Sequence, residues 1–172
     1  ELVNRLEEEN VPLFLSGHLH VQHYMRNEED RGIYEIVTSS LSTPPCQYGV
    51  LEYRDDESFS YHTQQVDMEK WARKHKSTDE NLLNFNTYAP AALRTIFYNQ
   101  SYDAMKDSEE EETGDLFVKL TQRQKEQMSE VYAQLNAACY GGKAYEVVKE
   151  ATTTPAYKIC LLYTSDAADD KA

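Results

Sequence analysis

The sequence lacks long apolar runs and is poor in cysteine. No apolar stretch among its 172 residues approaches the roughly 18 residues that a membrane-spanning helix requires. Its three cysteines are odd in number, widely spaced and without a C-x-x-C pair, which excludes a disulfide framework and favours a reduced compartment. We therefore expect a cytoplasmic protein by default. The chain opens on Glu1 without an initiator Met, so an upstream signal or anchor stays open.

Basic residues are also scarce. The chain has 17 Lys and Arg against 30 Asp and Glu, a formal net charge of −13. Nucleic acids and anionic membranes are bound by basic faces, so this balance argues against both partners. Aromatic residues are plentiful instead, with 13 Tyr, 5 Phe and one Trp. We expect the tyrosines and Trp71 to build the core.

The two ends of the chain have distinctive patterns. Residues 1–10 carry apolar side chains at 2, 3 and 6, which predicts the end of an amphipathic helix in a chain truncated at its N-terminus. Residues 160–172 resemble the translated end of a sequencing adapter. We expect them to be a non-native tail. The alternative is a genuine short strand with a polar tail.

The first 66 residues have the pattern of an α/β fold. A short apolar run, Val11–Ser16, follows the opening helix directly and predicts a buried strand. Residues 22–32 are polar and predict a loop, and residues 33–38 predict a strand. Residues 39–47 contain Pro44 and Pro45 and predict a loop. Residues 48–66 predict a β-hairpin.

Residues 67–159 predict an all-helical region. A helix begins near Asp67, a second begins near Asp79, and Pro90 is expected to break or restart it. Further predicted helices cover residues 91–105, 116–140 and 143–151, the last two separated by Gly141 and Gly142. The acidic residues 107–114 predict a solvated linker, because a run of like charges repels itself.

The segment Gly17-His18-Leu19-His20 carries the clearest chemical signal. Its two imidazoles lie two residues apart, just beyond a predicted strand, where α/β sheets place their sites. Neutral imidazole is a good ligand for zinc, iron or manganese. The alternative interpretation is a pair of histidines that neighbouring groups satisfy at the end of a strand.

Other chemically active side chains have weaker claims. His23 lies in a predicted polar loop and is a lesser site candidate, whereas His62 and His75 are predicted on exposed surfaces. Cys46 is open to two interpretations, a residue at the mouth of the site or, more in keeping with its type, a buried structural thiol. The acidic residues 109–112 predict solvated linker rather than a metal site.

The helix, the apolar strand and the Ser16–His20 segment together resemble the last signature block of calcineurin-like metallophosphoesterases, and residues 32–40 and 45–50 resemble strands of bacterial members. The resemblance covers residues 1–66. It implies an α/β/β/α sandwich followed by an appended helical region at 67–159. It also implies two divalent metal ions (Mn, Fe or Zn), with His18 binding one and His20 the other, and a small phosphoester as substrate.

The resemblance is incomplete. The family's D-x-H, G-D and G-N-H-D/E blocks are absent from this sequence, so we expect this chain to be an inactive fragment of a dimetal phosphoesterase. A hydroxide activated by the metal ions would attack phosphorus in the complete enzyme. The alternative hypothesis is a non-catalytic interaction or scaffold protein that acts through its helical region.

Overall fold

The computed structural model describes residues 2–28, 31–56, 58–106 and 115–158. Within these ranges it contains seven helices and five strands, so the fold is mixed α/β with a helical C-terminal half, as predicted. In chain order the elements are α1 (Leu2–Glu8), β1 (Leu13–Ser16), β2 (His23–Glu28), β3 (Arg31–Val37), β4 (Gln47–Tyr53), β5 (Phe59–Gln65), α2 (Met68–Lys74), α3 (Glu80–Leu83), α4 (Phe85–Lys106), α5 (Asp115–Val118), α6 (Gln122–Tyr140) and α7 (Ala144–Ala151).

The first sheet has three strands in the order β1-β3-β2. Strand β1 runs parallel to β3, and β2 runs antiparallel to it. The prediction of a loop over residues 22–32 is therefore wrong. The polar residues of β2 are typical of a loop. The strand nevertheless forms, and its Tyr24 ring stacks on Tyr34 of β3 with 5.5 Å between ring centres. The Arg26 guanidinium also lies 4.3 Å from the centre of the Tyr34 ring, and such cross-strand contacts stabilise a strand pair.

Strand β1 was predicted to be buried, and this prediction is wrong. The Phe14 side chain is 39% exposed and that of Leu15 is 53% exposed. Within the described residues β1 pairs with β3 alone, so it lies at the edge of its sheet, and an edge strand has a neighbour on one side only. The buried residues of this sheet lie instead on β3, at Ile33 and Ile36.

The second sheet is the predicted hairpin of β4 and β5, which is confirmed. The strands pair antiparallel from Gln47 opposite Gln65 to Tyr53 opposite Phe59. With three strands in one sheet and two in the other, the calcineurin-like α/β/β/α sandwich is not confirmed. Across the hairpin, Gly49 leaves room for the ring of Tyr61, because a Cβ at Gly49 would lie 2.5 Å from Cε2 and from the hydroxyl oxygen of that tyrosine.

The helices begin largely where the sequence predicts. The Asp67 carboxylate accepts the Lys70 amide at the start of α2, and the Asp79 carboxylate accepts the amides of Asn81 and Leu82 at the start of α3. Such capping satisfies amides that have no partner inside the helix. The expected break at Pro90 is wrong, since α4 continues through it.

The predicted helix 116–140 is in fact two helices, α5 and α6. A reciprocal capping interaction explains the new start at Gln122. The Thr121 amide donates to the Gln124 side chain at 2.9 Å, and the Gln124 amide donates to the Thr121 hydroxyl at 3.3 Å. This threonine–glutamine arrangement is a capping box, which fixes a helix N-terminus.

The chain divides into two compact units. The first unit runs through Ala89 and includes Cys139–Gly142, and the second contains Pro90–Ala138 and continues from Lys143. The predicted domain bounds, 1–66, 67–159 and 160–172, stay a prediction. The predicted linker at 107–114 and tail at 160–172 lie outside the described residues.

Small apolar side chains form much of the core of the second unit. Val131, Ala151 and Ala156 form a buried cluster, with Met128 and Leu135 packed against it. The expectation that the aromatic residues form the core is wrong in large part. Large exposed aromatic side chains occur in both units: Tyr24, Tyr48, Tyr53, Trp71, Tyr88, Tyr132 and Tyr145.

Helix α4 is held to α6 within the second unit by polar contacts. The Lys125 ammonium donates to the Met105 carbonyl oxygen at 2.7 Å, and Arg94 pairs with Glu130. Ser129, on the same helix as Glu130, has no exposed surface. Its hydroxyl oxygen has no hydrogen-bond partner among the described residues, so its small size is what suits it to this position.

Candidate functional site at the carboxyl edge of the first sheet

Two loops begin side by side at one edge of the first sheet. Ser16, the last residue of β1, lies opposite Val37, the last residue of β3. The strands are parallel, so both chains leave the sheet at its carboxyl edge, where α/β folds commonly bind ligands. The Thr38 amide donates to the Ser16 carbonyl oxygen at 2.9 Å and so joins the first residue beyond β3 to the last residue of β1.

The first loop, Gly17–His20, carries both histidines singled out from the sequence. Both side chains are exposed. His18 has a φ of 82° and His20 a φ of 60°, the left-handed region that side chains other than glycine seldom adopt. Such backbone strain is concentrated at functional sites. Apart from its chain neighbours, no atom lies within 4 Å of a Cβ built at Gly17.

We call the second loop, Thr38–Thr43, the hydroxyl loop, because five of its six side chains carry a hydroxyl group. The Ser40 and Ser42 hydroxyls lie 2.8 Å apart, and the Ser42 amide donates to the Ser40 oxygen at 3.1 Å. The Thr43 hydroxyl lies 3.4 Å from Nδ1 of His20. This contact brings the two loops together at the edge of the sheet.

Gln22 holds the backbone of the hydroxyl loop through a hydrogen bond. Its side-chain oxygen accepts from the Ser39 amide at 3.4 Å and from the Tyr61 hydroxyl at 3.3 Å. Its own amide donates to the Cys139 carbonyl oxygen at 3.0 Å. Sequence reasoning missed Gln22, because its partners Ser39, Tyr61 and Cys139 are distant along the chain. Nothing in the sequence near Gln22 indicates these contacts.

The lesser candidates are placed as follows. His23 begins β2 opposite Val37, so it lies at the same carboxyl edge as His18 and His20. His62 is exposed on β5 and His75 is exposed after α2, as predicted. The His75 ring stacks on Trp71 with 4.4 Å between ring centres.

Cys46, just beyond the hydroxyl loop, is a buried thiol. Its side chain is largely shielded, and this burial raises the pKa of the thiol above its ordinary value. A raised pKa leaves less thiolate and a less reactive sulfur. The backbone here is fixed as well, because the Cys46 amide donates to the Thr43 carbonyl oxygen at 2.8 Å. Of its two interpretations, the structure supports the buried structural thiol.

The residues at this edge do not by themselves form a metal site. Over the described ranges, no group of three or more His, Cys, Asp or Glu side chains is arranged to hold a metal ion. Two imidazoles are fewer ligands than a protein metal site ordinarily supplies. The assignment of His18 and His20 as ligands of divalent ions therefore stays a prediction.

No helix in the described part of the chain is both long and apolar enough to cross a membrane.

Comparison with known proteins identifies a family. Residues 67–169 match the model of the C-terminal domain of cyclic nucleotide phosphodiesterase. The match covers 103 of the 172 residues and includes α2 through α7. No curated protein matches the chain.

This match corrects the assignment drawn from the resemblance. The matching family is not that of the calcineurin-like metallophosphoesterases, and residues 17–20, which carried that resemblance, lie outside the match. The dimetal phosphoesterase function inferred from the resemblance is therefore wrong as well. The match does not support a metal-binding or bacterial protein. It runs to residue 169, and the assignment of residues 160–172 to a non-native tail stays a prediction.

The coarser prediction of a phosphoric ester hydrolase is supported, since a cyclic nucleotide phosphodiesterase is an enzyme of that class. The match begins at residue 67 and includes the region 67–159, which the sequence analysis predicted only as an appended helical region. With more than half of its residues in the match, the chain belongs to the family of the C-terminal domain of cyclic nucleotide phosphodiesterase.

Proposed function

We propose that this chain is part of an enzyme that hydrolyses the cyclic phosphodiester of a nucleotide, and that the carboxyl edge of the first sheet faces the phosphate. The family match supplies the substrate class. The observation that carries the location is the meeting of two loops at this edge, where the His20 imidazole lies 3.4 Å from the Thr43 hydroxyl.

The reaction requires proton transfer that imidazole can perform. A water oxygen attacks phosphorus, one P–O bond of the ring breaks, and the product is an acyclic phosphomonoester. The attacking water loses a proton and the leaving ring oxygen gains one, so each turnover needs a base and an acid. Histidine serves both roles near neutral pH, and positioned proton transfer contributes roughly 10²- to 10⁴-fold to rate.

His18 and His20 are suited to these roles by their position. Their side chains are exposed, so a ligand can reach them without a rearrangement of the core. His20 is held by Thr43, which orients its ring, and oriented acid–base groups are the effective ones. The alternative hypothesis of a scaffold protein does not account for the contact between His20 and Thr43.

The proposal is tested by assaying the full chain with 3′,5′-cyclic AMP and with 2′,3′-cyclic AMP. We expect chromatography to show an adenosine monophosphate from at least one of them, and titration calorimetry to show binding of the same compound. Parallel assays after chelation, and after addition of Mn²⁺ or Zn²⁺, test the metal prediction separately. Failure to bind either cyclic nucleotide contradicts the proposal.

A further inference from the structure

We propose that the hydroxyl loop is the phosphate-binding wall of this site, with its serine hydroxyls donating to the non-bridging oxygens of a singly charged phosphodiester. This inference rests on the proposed function and adds the residues that hold the phosphate. Nothing in the family match points to them, because the loop lies outside residues 67–169.

The distribution of acidic residues favours an anion at this edge. The chain has 30 Asp and Glu, yet residues 11–27 and residues 36–51 contain none. These two stretches include both loops that meet at the carboxyl edge. The Glu35 carboxylate of β3 lies near this edge, where it accepts the Ser16 hydroxyl at 2.7 Å, but it belongs to neither loop. An anion bound to the two loops therefore meets no acidic side chain of the loops themselves, and Glu35 is the carboxylate of β3 beside it.

The loop offers hydroxyl donors whose protons are available. Ser40 and Ser42 lie 2.8 Å apart, so one hydroxyl donates to the other and the second keeps its own proton for a ligand. The Ser39 hydroxyl oxygen is buried and has no hydrogen-bond partner among the described residues. Because that oxygen is enclosed, the donors assigned to the ligand are Ser40 and Ser42.

The backbone of the loop is fixed before a ligand arrives. Gln22 holds the Ser39 amide, and the Cys46 amide holds the Thr43 carbonyl oxygen. Fixed donors bind with less loss of conformational entropy than mobile ones. Thr43 is a positioning residue, because its contact with His20 sets an imidazole beside the phosphate that the serines hold.

Uncharged donors also suit the direction of the reaction. The cyclic substrate carries one negative charge, whereas a phosphomonoester product carries about 1.5 to 2 at pH 7. In a chain of net charge −13, repulsion grows with the charge of the ligand, and neutral hydroxyls do not offset the increase as a guanidinium would. The loop is therefore expected to hold the substrate and release the product.

The test uses dimethyl phosphate, a singly charged phosphodiester without base or ribose, titrated into the ¹⁵N-labelled full chain at constant ionic strength. Amide shifts in nuclear magnetic resonance spectra report which residues it contacts. The variants are S40A/S42A, Thr43→Val and the matched control Thr63→Val. Thr63 is an exposed residue of β5, and Thr43→Val and Thr63→Val remove a hydroxyl by the same isosteric change.

We expect dimethyl phosphate to shift the amides of residues 17–20 and 38–43. S40A/S42A should bind it about tenfold more weakly, as expected for lost hydrogen bonds to a charged group, and Thr63→Val should bind it like the unmodified chain. Thr43→Val should retain binding of dimethyl phosphate but lower kcat for the cyclic nucleotide, with KM little changed.

Two results overturn the inference: unchanged affinity in S40A/S42A, or shifts confined to other parts of the chain. Failure of the proposed function gives a different pattern. The chain would then bind dimethyl phosphate at the hydroxyl loop but would neither bind nor cleave either cyclic nucleotide. That result would support the phosphate site and contradict the assigned substrate.

Discussion

The carboxyl edge of the first sheet differs from the second compact unit in how its side chains are used. We call this second unit the helical unit. At the edge, His18 and His20 adopt a costly backbone conformation while their side chains stay exposed. In the helical unit, Val131 and Ala151 are buried in an apolar cluster, where burial stabilises the fold. The contrast indicates that the edge is organised for contact with a ligand, and the helical unit for its own stability.

The sharpest test of this contrast is His20→Ala. We expect kcat/KM for the cyclic nucleotide to fall by about 10²- to 10⁴-fold, the contribution of a positioned acid–base group. The free energy of unfolding should change by less than about 0.5 kcal/mol, since the side chain is exposed.

His62→Ala is the matched control, because His62 is an exposed histidine on β5 of the same unit. Steady-state kinetics and urea unfolding on both variants separate the two roles. Equal activity in the two variants would remove His20 from the reaction.

The reverse effect is expected at Leu120, which is 6% exposed. Leu120→Ala should lower the free energy of unfolding by about 2 to 5 kcal/mol, because it removes buried apolar surface and leaves a cavity. Leu41→Ala, the same change at an exposed residue of the hydroxyl loop, should cost less than about 0.5 kcal/mol. Urea denaturation compares them. Similar losses would mean that the two regions do not differ as described.

A smaller effect is expected from pH at Glu69. The amide of Asn86 donates to its carboxylate, and Arg73 pairs with it, and both contacts lower the pKa of Glu69. A carboxyl whose pKa is lower when folded stabilises the fold above its unfolded pKa of about 4.3, and this contribution is lost as pH falls through the folded value.

Glu69→Gln should therefore show a shallower loss of stability on acidification between about pH 5 and pH 3. Thermal unfolding monitored by circular dichroism across that range measures it. Glu80→Gln, at an exposed acidic residue of α3, is the control. Parallel pH profiles for Glu69→Gln and the unmodified chain would show that the carboxylate contributes nothing.

The sequence predicted the elements whose signals are local. The hairpin of β4 and β5 follows from alternating side chains around a polar turn, and α3 begins just after Asp79 because the Asp79 carboxylate caps it. Strand β2 could not be predicted in this way. Its polar residues resemble a loop, and its pairing depends on Tyr34, which lies on the neighbouring strand.

The candidate site was predicted only in its histidines. His18 and His20 stood out because imidazoles beyond a strand are a recognisable pattern, but the hydroxyl loop did not, since serine-rich loops are common on surfaces. The absence of acidic residues from 11–27 and 36–51 was a usable signal. The overall charge of −13 concealed it, because a sum over the chain says nothing about where the charges lie.

One glycine links the hairpin to the loop that we assign to the phosphate. Because Gly49 has no side chain, the Tyr61 ring lies across it, and the ring's hydroxyl reaches Gln22, which in turn holds the Ser39 amide. The shape of the ligand-facing loop thus depends on an empty volume on another sheet. A search for functional positions that considers only side chains would pass over Gly49, whose contribution is the space that it leaves to its neighbour.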